Sequence, residues 1–152
     1  MALLVQRVSG SIHGDLFYPL VAGVGFSFNP FVWDPSIDPK SGFLRLVAGL
    51  GTRAVDRTAD DYTRLIALNK PSMRPEKTKK DLHRFSQKKL DVIDFQQNAY
   101  TAYRFKQTVE RSENTKFDLI STRDYELEYK LKQRGRKSMF TRYIDFNAII
   151  NE

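Results

Sequence analysis

Leu44-Arg45-Leu46-Val47-Ala48-Gly49-Leu50-Gly51-Thr52-Arg53-Ala54-Val55-Asp56 is the stretch on which the reading of this chain turns. Its opening is short and apolar, and predicts a strand over Phe43 to Ala48. Two glycines one residue apart then let the chain turn sharply, and a short helix is expected to follow. Glycines at a strand-to-helix turn either bring backbone N–H groups close to a phosphate or only make a tight connection. The triplet is neither a Walker motif, which needs Gly-Lys-Ser or Gly-Lys-Thr, nor the longer dinucleotide fingerprint, so alone it leaves both readings open.

Upstream of this stretch, Ala2 to Val8 is aliphatic and β-branched and reads as a buried strand, ended by the turn-prone residues Ser9 to Asp15. Ala22 to Phe28 predicts a second strand. Val24, Phe26 and Phe28 share one of its faces, while Gly23, Gly25 and Ser27 leave the other nearly bare for a backbone or a ligand to approach. Asn29-Pro30 stops that strand, and Trp33 to Gly42 is a proline-punctuated loop.

Downstream, Asp60 to Leu68 predicts another strand, closed by Asn69-Lys70-Pro71. A helix is expected over Lys77 to Ser86. The alternations Leu90 to Phe95 and Ala99 to Phe105, separated by Gln96-Gln97-Asn98, predict a β-hairpin. Ser121-Thr122-Arg123-Asp124 reads as a helix start, with the helix ending at Gly135. Phe140 to Ile150 mixes a short strand with an apolar terminal turn.

At 152 residues the chain can bury a real core. The absence of cysteine removes disulfides, thiolate zinc sites and thiol catalysis. The first residues are too short an apolar run for a secretory signal and nothing approaches a membrane span, so a soluble cytoplasmic protein is expected. The net charge of +7 is uneven: residues 1–69 hold six basic and six acidic side chains, residues 70–152 nineteen and twelve. That asymmetry suggests two parts, 1–70 and a basic appendage over 71–152.

Three motifs occur in order: Ala2-Leu3-Leu4-Val5-Gln6-Arg7-Val8, Ala22-Gly23-Val24-Gly25-Phe26-Ser27-Phe28-Asn29-Pro30, and the stretch quoted first. Together they resemble the C-terminal half of the PEP/pyruvate-binding domain of the pyruvate phosphate dikinase and phosphoenolpyruvate synthase (pyruvate, water dikinase) family. That domain is an ATP-grasp fold. The fold implied is α+β: a partial ATP-grasp-like sheet with helices over 1–70, followed by a small basic α+β lobe. In the complete family enzyme, ATP and Mg²⁺ lie between two lobes. The β-phosphoryl group passes to a histidine on a swivelling domain and then to pyruvate, leaving AMP and phosphate.

By the same resemblance, Gln6 matches a glutamine near the adenine, or is a satisfied structural amide. Gly49 and Gly51 match the family's glycine turn. Where the family often has a metal-binding glutamate this chain has Arg45, and a cation cannot ligate Mg²⁺. Thr52 replaces an acidic residue, and Asp56 stands where glutamine is common. Asp56 then offers a metal ligand while Arg45 and Arg53 brace phosphates, or Arg45 and Asp56 simply pair. Asp60-Asp61-Tyr62 reads as solvated surface more readily than as a metal site, and His13 and His83 as ordinary surface residues.

The family's upstream lobe, phosphohistidine domain and pyruvate-binding domain have no counterpart in these residues, so any catalysis requires them on other chains. The competing reading is a non-catalytic scaffold or interaction module, with homo-oligomerisation through 70–152 as one form. Nucleic acid is the least favoured partner: Tyr100 and Tyr103 beside Arg104 and Lys106 form a stacking strand only if these aromatics do not pack on the core.

Overall fold

A computed structural model describes residues 1–56, 61–136 and 140–151. The fold is α+β, with antiparallel strands throughout. A four-stranded sheet has the order β1 (Ser11–His13), β2 (Leu16–Tyr18), β6 (Lys89–Asp94), β7 (Ala99–Arg104). A second sheet orders β3 (Ala22–Phe26), β4 (Phe43–Val47) and β5 (Arg64–Ala67), and β8 (Ser121–Arg123) pairs with β9 (Arg142–Ile144).

The expected strand over Ala2–Val8 does not form. Residues 1–10 carry no strand assignment, and Leu3, Leu4 and Val5 are 84%, 79% and 83% exposed. The segment pairs with none of the described sheet edges, although that of β1 is open, and no face covers its apolar side chains. The turn expected over Ser9–Asp15 is narrower: Gly14, in the left-handed region at φ +64°, turns β1 into β2.

The second sheet follows the sequence closely. Gly23 lies opposite Leu46, and a Cβ there would stand 2.5 Å from the Arg45 carbonyl oxygen, so the bare face of β3 serves close backbone approach. After β4 come the glycine turn and α1 (Thr52–Val55). Gly49, at φ +96°, packs so tightly on β6 that a Cβ would meet the Asp91 oxygen at 2.7 Å.

The division at residue 70 does not separate the sheets, because β2 hydrogen-bonds to β6, with Phe17 opposite Ile93. The main core likewise joins Leu16, Tyr18 and Ala48 to Leu90, Val92, Phe105 and Phe146. In the second half, Thr78 caps α2 (Lys79–Arg84) by accepting the Asp81 N–H. The hairpin β6–β7 forms as its alternation predicts, and α3 (Phe105–Arg111) follows directly. Asp124 accepts the Leu127 N–H at 2.9 Å to start α4 (Tyr125–Gln133), closed by left-handed Gly135. The chain ends on α5 (Asn147–Ile150).

Candidate functional site

A cavity of about 290 Å³ opens beside the middle of β4 and the end of α1. Phe31, Arg45, Arg53, Asp56, Tyr62 and Leu65 line it, together with Asp61 and Thr63. Three side chains expected to act together, Arg45, Arg53 and Asp56, therefore face one space.

Arg45 sits between Val24 on β3 and Leu65 on β5. Its Nε is buried without a hydrogen-bond partner among the described residues. It forms no ion pair with Asp56, although both line the cavity, so that alternative is not realised. A guanidinium is a donor to phosphate or carboxylate, which can accept two parallel hydrogen bonds from it.

Arg53 has a different task. Its Nε and Nη2 both lie 3.0 Å from Asp91 Oδ1, and its Nη1 lies 3.3 Å from Asp61 Oδ2. Arg53, Asp61 and Asp91 are all largely buried. Asp61 also accepts the backbone N–H groups of Lys88 at 2.6 Å and Lys89 at 2.9 Å, while Asp91 accepts the Thr52 hydroxyl. The network ties α1 and the approach to β5 onto β6. Arg53 is therefore a strut for the cavity wall, with little capacity left to brace a ligand. Asp61 is a hub of that strut and not solvated surface; Asp60 lies outside the described residues.

The glycine turn is also committed. The Gly49 N–H donates to the Pro19 oxygen at 3.2 Å and the Leu50 N–H to the Asp91 oxygen at 2.9 Å. Neither Gly49 nor Gly51 lines the cavity. Gln6 is exposed on the N-terminal segment and lines no wall of it either. Asp56 is exposed, and no group of three or more acidic or histidine side chains poised for a metal occurs among the described residues.

Both histidines are structural, contrary to expectation. His13 Nδ1 lies 2.9 Å from Thr115 Oγ1, its ring packs at a tilt against Tyr18 with centroids 4.4 Å apart, and burial pushes its pKa down. His83 Nε2 lies 2.9 Å from Asp124 Oδ2, with Tyr143 edge-on at 4.7 Å. Neither is presented as a phosphoryl acceptor.

Sequence reasoning passed over Asp91 and Asp94. Each interrupts an apolar strand, and a buried acid in such a place must be paired. Asp94, fully buried, accepts from Arg111 Nη1 at 2.8 Å and from the Tyr103 hydroxyl at 2.5 Å. Those two hydrogen bonds hold its carboxyl far below the usual carboxylate range.

No family model, curated protein or solved structure matches this chain.

Proposed function

We propose that this chain forms part of the ATP-binding site of a phosphoenolpyruvate synthase-like phosphotransferase, completed by an upstream lobe and by phosphohistidine and pyruvate domains elsewhere. The observation that carries this reading is the Arg45 guanidinium, which lines the cavity and whose buried Nε has no hydrogen-bond partner among the described residues. An unmet buried donor costs roughly 1–3 kcal/mol, which an anionic ligand offsets.

The cavity is at the small end of ligand sites, which span about 300–1,000 Å³, and suits the phosphate end of ATP better than the whole nucleotide. Arg45 would hold a phosphate there, and Arg53 would keep the wall in place. The fit for Mg²⁺ is poorer. Among the described residues, Asp56 is the exposed carboxylate lining the cavity, and Asp61 is consumed by Arg53 and two backbone N–H groups. Further metal ligands would have to come from the nucleotide or the upstream lobe. The exposed Leu3-Leu4-Val5 segment, with Gln6, is suited to add as a strand to that lobe.

The test is thermal unfolding of the chain, alone and with the upstream lobe supplied, against MgATP. A ligand at a hundred times its Kd stabilises by about 2.7 kcal/mol. Wild type should shift with MgATP once the lobe is present, and Arg45→Glu should not. No shift in the reconstituted wild type removes the reading.

The scaffold reading draws on the same apolar N-terminal segment. It expects self-association or partner capture without any nucleotide effect, measured by sedimentation at increasing concentration. A strictly monomeric chain that responds to MgATP counts against it.

A further inference from the structure

A second and larger cavity, about 520 Å³, lies in the other half of the molecule where α2 meets the start of α3. His83, Lys88, Lys89, Arg104, Lys106 and Arg142 line it, with Ser86 and Gln87, and none of the described lining residues is acidic. Phe105 and Phe140, edge-on to each other at 5.3 Å, supply an apolar part of its wall.

The charged side chains around this cleft are cationic and only partly paired. Lys89 and Arg104 are directly opposite each other in the β6–β7 pair, which brings two cationic side chains to the cleft wall. The Lys88 ammonium hydrogen-bonds only to neutral oxygens, the His83 carbonyl and Ser86 Oγ, and burial pushes its pKa down. Asp61, whose charge reaches Lys88, spends its oxygens on Arg53 and on backbone N–H groups. Arg104 has no ion pair among the described residues. Arg142, Lys106 and His83 do have carboxylate neighbours, in Asp118, Glu110 and Asp124. The cleft thus keeps an excess of cations close together, and their N–H groups can make charge-assisted hydrogen bonds to an anion.

We propose that this cleft binds a small molecule carrying two or more phosphate groups, with Lys88, Arg104 and Lys106 contacting the phosphates. The cleft lies within the size range of small-molecule sites. The site is separate from the Arg45 cavity and does not depend on the nucleotide reading of it.

Inorganic pyrophosphate, titrated calorimetrically into the full chain, tests the assignment. Four proteins are compared: wild type, Arg45→Glu, the double variant Arg104→Glu/Lys106→Glu, and the charge-matched control Lys130→Glu/Lys132→Glu on α4. Arg104 and Lys106 are exposed at the start of α3, where acids are favoured, so their reversal should leave folding intact, checked by thermal melting. Saturable binding should weaken by about tenfold or more in the Arg104/Lys106 variant, as expected for losing charge-assisted hydrogen bonds, and persist in the other two. Equal loss in the α4 control would reduce the effect to overall charge and overturn the proposal. Loss in Arg45→Glu alone would assign the anion to the other cavity. A single-stranded oligonucleotide binding more tightly than pyrophosphate, and lost in the same double variant, would make the surface a nucleic-acid site and equally overturn it.

Discussion

Asp91→Ala should be among the most damaging single changes in this chain, and the structure says why. The substitution removes the acceptor for the Thr52 hydroxyl and for Arg53 Nε and Nη2, both at 3.0 Å, in a place where Asp91 is 4% and Arg53 9% exposed. Removing one partner of a buried ion pair costs about 3–5 kcal/mol, because the other charge is left unpaired. Arg53 keeps Asp61 at 3.3 Å, which places the expected loss at the lower end, about 3 kcal/mol. For a chain of this size that lowers Tm by about 6–12 °C. Urea unfolding followed by the fluorescence of Trp33, the one tryptophan, measures it. The midpoint should fall with the slope unchanged. Adding Arg53→Met should recover part of the loss, since the stranded guanidinium is what costs most. A single variant that loses less than about 1 kcal/mol, or a double variant that loses the sum of the two singles, would refute the strut.

Two further outcomes follow from the same geometry. Gly49→Ala combines a left-handed backbone at φ +96° with a Cβ 2.7 Å from the Asp91 oxygen, whereas Gly135→Ala at φ +70° meets nothing within 4 Å. Thermal melting should show a loss of about 1 kcal/mol for Gly135→Ala and clearly more for Gly49→Ala; equal losses would deny the close approach. Asp94 has a folded pKa below its unfolded one, so its contribution is fully present above the ordinary aspartate value of about 3.9 and is lost as pH falls below it. Urea midpoints should therefore separate wild type from Asp94→Asn near neutrality and converge in acid; a pH-independent gap would contradict the pairing with Arg111 and Tyr103.

Local chemistry made much of this fold legible. Gly49 and Gly51 announced the break between β4 and α1, and the alternation of residues 90–95 and 99–105 announced the β6–β7 hairpin. Asp124 and Gly135 bracketed α4 because capping is a matter of a few adjacent residues. What failed was non-local. Residues 2–8 have the composition of a buried strand, yet composition alone does not pair a segment with an edge. Leu16-Phe17-Tyr18 is too short to stand out, and becomes β2 only because Ile93 and Asp94 lie beside it. Arg45, Arg53 and Asp56 line one cavity, but it was a family resemblance and not their spacing that had grouped them. That Arg53 would be spent on Asp61 and Asp91 was not foreseen, since Asp91 is distant in sequence and belongs to another sheet.

The seating of β2 against β6 also shapes how the protein is made. At about 5–20 residues per second, roughly 4–15 seconds separate the synthesis of Phe17 from that of Ile93, its partner across the strands. Until then Leu16 and Tyr18, which end fully buried, are apolar and uncovered on a nascent chain. Proteolysis or premature termination near residue 70 would leave that surface permanently bare, so a shortened product should accumulate as aggregate, and chaperone demand should peak in the interval before the hairpin emerges from the ribosome.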